Sequence, residues 1–290
     1  MWGFAFMRRA FVATTVLSAS VTPVGAFLVL RRLSLAGEAM AHAITPGVVI
    51  GFVLAGLSTL SLLIGGLVAG IGVAALTALL ARRTILRSDA SLASLYLIAL
   101  ALGIFILSAA GSAVPLKSFL FGSILGIDDA SMLLVGAVAT VTLLSFAVLL
   151  RPLVASTCDP VFFEARARRP WLVEQAFMIL LVLNLLAAFK TLGTLMAVGL
   201  MILPATAARY WATTITGQLA LGFAFALASC WIGLTLSFLL PDTPSGPAIV
   251  LVAGVLFAVS ALLSPLGFGR ARVPRRRRDA PHIVTEEKVR

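Results

Sequence analysis

Apolar residues run along this chain in long, nearly unbroken blocks, with polar residues gathered between them. The blocks cover residues 11–30, 59–81, 91–110, 131–150, 217–240 and 247–268. Each is close to the roughly 20 residues that a helix needs to cross the hydrocarbon core of a bilayer. Backbone groups in lipid must be satisfied within the segment, so each block is predicted to be a helix. Residues 36–57 are also apolar but contain Gly37, Glu38, His42, Pro46 and Gly47. Residues 172–208 are too long for one span and are interrupted near 190–193, which predicts two short helices. The whole reads as eight or nine spans. The fold class is an all-α integral membrane protein, a polytopic helical bundle with broken helices.

The arginines orient the bundle, because cytoplasmic loops carry the excess of basic residues. Arg82, Arg83 and Arg87 mark one loop, Arg151 and Arg166 to Arg169 mark the 151–171 loop, and Arg275 to Arg278 mark the tail. These are predicted to be cytoplasmic, and the span count between them agrees in parity. The segments at 111–130 and 241–246, poor in Arg and Lys, then fall outside. Arg8-Arg9 and Arg31-Arg32 cannot share one side if a single helix joins them, so the side of the N-terminus stays open. A signal peptide is a poor fit, since the first apolar run continues to Leu30. Residues 1–269 are expected to form the transmembrane domain, and the charged, aperiodic segment 270–290 a disordered basic tail.

Composition sharpens this picture. The chain is 61% hydrophobic and 11% charged, against about 25% charged in soluble domains. Its net charge of +11 lies between spans and in the tail, which points to membrane orientation and anionic headgroups and not to nucleic acid. Cys158 and Cys230 are far apart in different predicted environments, so neither a disulfide nor a cysteine–metal site is supported.

With so few ionisable residues, the candidate chemistry is short. Glu38 and His42 are four apart, which places them on one face of a helix. A carboxylate and a neutral imidazole suit a first-row divalent metal. His42 is the only histidine outside the tail, and Glu38 is the only acid within a predicted span apart from Glu174, at the very start of 172–208. Ionisable groups at membrane depth commonly mark a pathway. The competing reading places both at an interface, or pairs them with each other or with a backbone carbonyl. Pro46-Gly47 weakens the helix just beyond them, either to expose carbonyl ligands along a pathway or as a packing kink.

Two loops also stand out. Asp159 is suited to cap a short helix that Pro160 begins and Pro170 ends, and this helix carries Phe162, Phe163 and Glu164. It can dock a partner or lie on lipid headgroups. Asp242, between Pro241 and Pro244, sits in an outer turn, where it can receive a cation or simply cap the last span. Enzymatic readings lack support: no Walker A sequence, nucleophile elbow or paired-histidine metalloprotease motif occurs.

Four segments, from about residue 25 to about residue 265, together resemble one family. They are Arg31-Arg32-Leu33-Ser34 through Glu38 and His42 to Pro46-Gly47, then Phe121 to Gly126, then Gly193 through Leu203-Pro204-Ala205 to Arg209, and Asp242 through Pro244-Ser245-Gly246 to Val252. The resemblance is to the membrane permease subunit of bacterial ABC importers for zinc, manganese or iron. It implies that Glu38 and His42 contact the transported metal, with Glu38 standing where an Asp is common. The extra methylene moves the carboxylate by about 1.5 Å. It also implies a multi-pass protein of the inner membrane, a permease homodimer, cytoplasmic ATPase subunits and an extracytoplasmic metal-binding protein. On this view Asp159, Pro160, Phe162, Phe163 and Glu164 form the ATPase-coupling helix.

The resemblance further implies alternating access driven by ATP hydrolysis in the partner, with no catalytic site or permanent cofactor in this chain. Zinc and manganese are the expected cargo, with iron as a further candidate. The alternatives are an ion-coupled secondary metal transporter, disfavoured by the missing intramembrane acid–base chain, and an intramembrane enzyme.

Overall fold

A computed structural model describes residues 4–56, 58–85, 88–109, 127–167, 169–240 and 243–264. Among these residues the chain forms eleven helices and no strand. They are α1 (Ala5–Leu30), α2 (Ser34–Ala43), α3 (Thr45–Ala55), α4 (Thr59–Arg83), α5 (Ser88–Ala109), α6 (Asp129–Cys158), α7 (Pro160–Arg166), α8 (Pro170–Leu192), α9 (Thr194–Arg209), α10 (Ile215–Leu239) and α11 (Ser245–Leu263). With α2 and α3 taken together, eight stretches are long and apolar enough to cross a membrane, and α9 is a shorter apolar helix beside them.

The outward faces are greasy. Leu60, Ile64 and Val68 on α4, Ile98 and Phe105 on α5, and Leu144 and Val148 on α6 are all exposed. Such continuous apolar surface suits lipid and would aggregate in water. The heart of the bundle is α1, packed against α6, α8, α9 and α10, while α2 and α3 lie on α4 and α5. Phe27, Phe146 and Phe177 join α1, α6 and α8, with ring centroids 5.7 and 6.5 Å from Phe27. Asn184 on α8 donates from Nδ2 to Thr142 Oγ1 on α6 at 2.8 Å. Interhelical bonds of this kind contribute about 0.6 kcal/mol on average in a bilayer.

Small residues let α3 and α4 meet backbone to backbone. A Cβ on Gly47 would lie 2.0 Å from the Gly65 carbonyl oxygen, and one on Gly51 would lie 2.5 Å from that of Ser61. Ser61 Oγ also donates to the Gly51 carbonyl at 2.6 Å. Helix association in lipid depends on such close approach, because lipid gives no hydrophobic force between apolar helices.

Contacts between helix ends sort the bundle into two sides. At one, Arg9 pairs with Asp129 and Phe4 packs on Phe238. At the other, Arg31 reaches Ser156 and Thr157, Arg209 Nη1 donates to the Val29 carbonyl, and Ser264 Oγ donates to the Tyr210 carbonyl. This second end also carries Arg83, Arg151 and Arg166. The long α1 therefore runs from one end of the bundle to the other, with Arg8 and Arg9 opposite Arg31 and Arg32.

Several expected boundaries move. Residues 151–158 are helical, so the loop expected at 151–171 is reduced to the stretch around α7. Ser156 and Thr157 donate to the Leu153 carbonyl and sustain the last turns past Pro152. The 172–208 region makes one full span and one short helix, not two short ones. The reason is that α8 begins at Pro170, with Pro at its first position, and takes in the polar residues Glu174 and Gln175. The break itself falls at Gly193, whose φ of 84° is a conformation that favours glycine. Phe121 to Gly126, Pro241, Asp242 and the 270–290 tail lie outside the described residues.

Candidate functional site

The site is built at a corner between α1 and α2. The last turn of α1 closes through Arg31 N–H to the Phe27 carbonyl at 3.0 Å, and Leu33 N–H reverses to the Leu28 carbonyl at 2.8 Å. Arg32 between them has φ 60°, a left-handed conformation uncommon for a residue with a side chain. The chain then turns directly into α2, which carries Glu38 and His42.

One face of α2 is sealed: Ala36, Gly37, Ala39, Met40, Ala41 and Ala43 are buried. Glu38 is exposed on the surface of the single chain, and His42 is half-buried. The two sit one helical turn apart. Among the described residues neither forms a salt bridge with the other, and Glu38 has no ion-pair partner at all. The alternative in which the two pair with each other therefore has no support in the geometry. His42 instead lies against Tyr96 of α5, with ring centroids 6.3 Å apart and planes inclined by 30°.

Two ligands do not complete a first-row metal site. No cluster of three or more His, Cys, Asp or Glu side chains occurs among the described residues. Cys158 is exposed beside α7, and Cys230 is buried beside Ser18, so neither thiol belongs to α2. Glu38 and His42 thus offer one oxygen and one nitrogen donor on the same stretch of α2, with Glu38 exposed.

Pro46 and Gly47 have separate roles. The chain bends at Ile44, between α2 and α3, yet Ile44 N–H still bonds the Met40 carbonyl and Val48 N–H still bonds that of Ile44. Gly47 is the contact with Gly65, so it serves packing. Pro46 is buried in the first turn of α3. Lacking an N–H, it leaves the His42 carbonyl without the usual donor one turn on.

At the arginine-rich end, α7 stands out from the bundle. Asp159 caps it, accepting from the Phe162 N–H at 2.9 Å, and Pro160 occupies its first turn. Val161, Phe162 and Glu164 are exposed, while Phe163 is half-buried. One aromatic side chain is therefore presented outward and the next leans on the protein.

The same end contains contacts that sequence reasoning missed. Arg31 Nη2 donates to Ser156 Oγ at 2.6 Å and Nε donates to Thr157 Oγ1 at 3.2 Å. Its guanidinium carbon lies 5.1 Å from the centre of the Phe177 ring. Burial lowers the Arg31 pKa, and the charge of Glu174 partly opposes this. Tyr96 was missed as well, although a tyrosine inside an otherwise apolar span is a usable signal. So was the α3–α4 contact, for which Gly47-x-x-x-Gly51 is the signature.

Residues 3–264 match the family described as the ABC 3 transport family. The chain is 29% identical over 262 residues to the manganese import system permease protein ScaB of Streptococcus parasanguinis, a match covering 90% of this chain and 92% of that protein. It is 29% identical over 263 residues to the manganese transport system membrane protein MntC of Halalkalibacterium halodurans, covering 90% and 88%. The solved structure of PsaBC from Streptococcus pneumoniae in complex with Fab superposes with a TM-score of 0.79 at 30% identity. That match covers 90% of this chain and 93% of the matched chain.

Proposed function

This chain belongs to the ABC 3 transport family, and from that premise we propose that it is the permease through which manganese(II) is imported at the expense of ATP hydrolysed by a partner. Its multi-pass, lipid-facing bundle is the fold of a membrane permease of that family. The observation that carries the cargo assignment is the pair Glu38 and His42: one turn apart, free of salt bridges among the described residues, and within a stretch long and apolar enough to cross a membrane. A carboxylate and an imidazole, with no thiolate nearby, match the harder divalent metals, among which manganese accepts oxygen ligands readily. The names of the similar permeases support manganese over zinc or iron.

The exposed position of Glu38 supports a homodimer in which two copies bring their α2 helices together. Two Glu38 carboxylates and two His42 imidazoles would then supply four ligands. Such a site binds through exchangeable ligands and can release its ion, as transport requires. In this reading a metal-binding protein delivers the ion at the Arg9–Asp129 side. The arginine-rich end faces the cytoplasm, and α7 seats in an ATPase subunit, driving alternating access. Residues 1–269 form the permease domain, and 270–290 a basic cytoplasmic tail that meets anionic lipid.

Proteoliposomes containing this chain with its ATPase test the proposal. Manganese uptake should require ATP inside the ATPase-accessible compartment and ignore an imposed proton gradient. Uptake driven by the proton gradient without ATPase would instead favour a secondary transporter. Zinc in place of manganese as the ion taken up would overturn the cargo assignment alone.

A further inference from the structure

The metal helix and the ATPase-facing helix are tied together by one side chain. Arg31 ends α1 and lies seven residues before Glu38. Its guanidinium donates to Ser156 Oγ at 2.6 Å and to Thr157 Oγ1 at 3.2 Å, in the last turn of α6. Thr157 is two residues before Asp159, the cap of α7. The third contact is with Phe177 on α8. The corner is also fixed on its far side, where Arg209 of α9 donates to the Val29 carbonyl at 3.2 Å. Between Arg31 and α2 there is no slack, since the Leu33 N–H bonds back to Leu28 and Arg32 is held at φ 60°.

A displacement of α7 passes directly into the end of α6, because Asp159 N–H bonds the Ala155 carbonyl and only Asp159 intervenes between the two helices, whereas three residues separate α7 from α8. From there the Arg31 fork connects to the end of α1, which turns directly into α2. Ser156 and Thr157 hydroxyls already donate to the Leu153 carbonyl at 3.0 and 2.6 Å, so their lone pairs are aimed outward to receive Arg31. Hydrogen bonds to a charged donor in a half-buried setting are the stronger kind. The planar fork also constrains direction in a way that a lysine ammonium cannot.

We infer that Arg31 is a positioning residue that carries the movement of the ATPase-facing helix α7, through Ser156 and Thr157, to the helix bearing Glu38 and His42. This rests on the reading of α7 as the ATPase contact. Arg31 acts through Ser156 and Thr157, and its effect is on how many ions move per ATP hydrolysed. Physical adjacency alone does not establish coupling, so the test must measure coupling itself.

The test uses the reconstituted complex of permease and ATPase and reads three quantities: assembly, ATP hydrolysis, and manganese taken up per ATP. Arg31→Ala and, separately, Ser156→Ala/Thr157→Val should leave assembly and hydrolysis near parental levels. Both should lower manganese per ATP by about tenfold, the scale of one charged hydrogen bond. Arg31→Lys should fall between parent and Ala. Combining Arg31→Ala with the hydroxyl variants should add little, because both remove the same link.

A merely structural role would lower yield and assembly while leaving the ion-to-ATP ratio unchanged, and that result would overturn the inference. If Arg31→Ala does not fold, the hydroxyl variant decides alone, and a parental ratio there would overturn it. Failure of the underlying reading looks different: Phe162→Ala/Phe163→Ala would then assemble and couple normally.

Discussion

Arg9 at the start of α1 pairs with Asp129 at the start of α6, Nη2 to Oδ1 at 3.0 Å, so these two helices begin at the same end of the bundle. The pair is well exposed on both sides, and exposed pairs of this kind contribute about 0–1 kcal/mol. Its value is as a marker of topology. In a background with Cys158→Ser and Cys230→Ser, an impermeant thiol reagent added outside should label Phe4→Cys and Thr243→Cys and miss Arg166→Cys. Labelling of Arg166→Cys alone would invert the bundle.

Glycine spacing makes a second prediction with its own controls. Gly47→Ala would drive a methyl group into the Gly65 carbonyl, a backbone atom that cannot swing away. Overpacking of this kind costs about 1–3 kcal/mol. Gly72→Ala and Gly136→Ala meet nothing within 4 Å and should be neutral. Thermal unfolding in detergent should show a lower Tm for the first and parental values for the other two.

Tyr96 should hold the His42 ring in place. Tyr96→Phe keeps a ring of the same size and should transport normally, whereas Tyr96→Ala should raise the KM for manganese on the order of tenfold, as loss of a residue supporting a metal ligand does. Uptake measured across a range of manganese concentrations separates this from a change in maximal rate. Equal damage by Phe and Ala would assign the effect to the hydroxyl.

The outward placement of Phe162 on a capped helix predicts an aromatic anchor in the ATPase. Phe162→Ala should weaken co-purification by about 2 kcal/mol or more, typical of a central interface residue. Phe163→Ala should act less, since Phe163 already leans on its own chain. Asp159→Ala removes the cap, worth about 1 kcal/mol, and should loosen α7 without abolishing binding. Intact complexes in detergent after Phe162→Ala would point to lipid as the true partner of that ring.

Much of the bundle was readable because lipid imposes a simple rule: about twenty apolar residues make a helix. That rule found the spans but not their ends. α6 continues through Arg151 and Pro152 to Cys158, since Ser156 and Thr157 supply local hydrogen bonds that hydropathy does not register. α8 starts two residues earlier than its apolar run because Pro170 sets the helix start.

At the candidate site, Glu38 and His42 were legible from spacing and from the scarcity of ionisable residues. Tyr96 and the Arg31 fork were not, because they are long-range contacts between helices far apart in sequence. Arg31 also read as a topology signal, and a basic residue at a helix end has that bland explanation until its partners are seen.

Manganese uptake by Glu38→Gln and His42→Ala permeases, reconstituted with the ATPase and supplied with ATP, tests the central claim most directly. Both variants should insert, assemble and hydrolyse ATP, and the double variant should lose radioactive manganese uptake entirely. Uptake by the double variant at the parental rate would show that the ion passes through this protein without meeting Glu38 or His42.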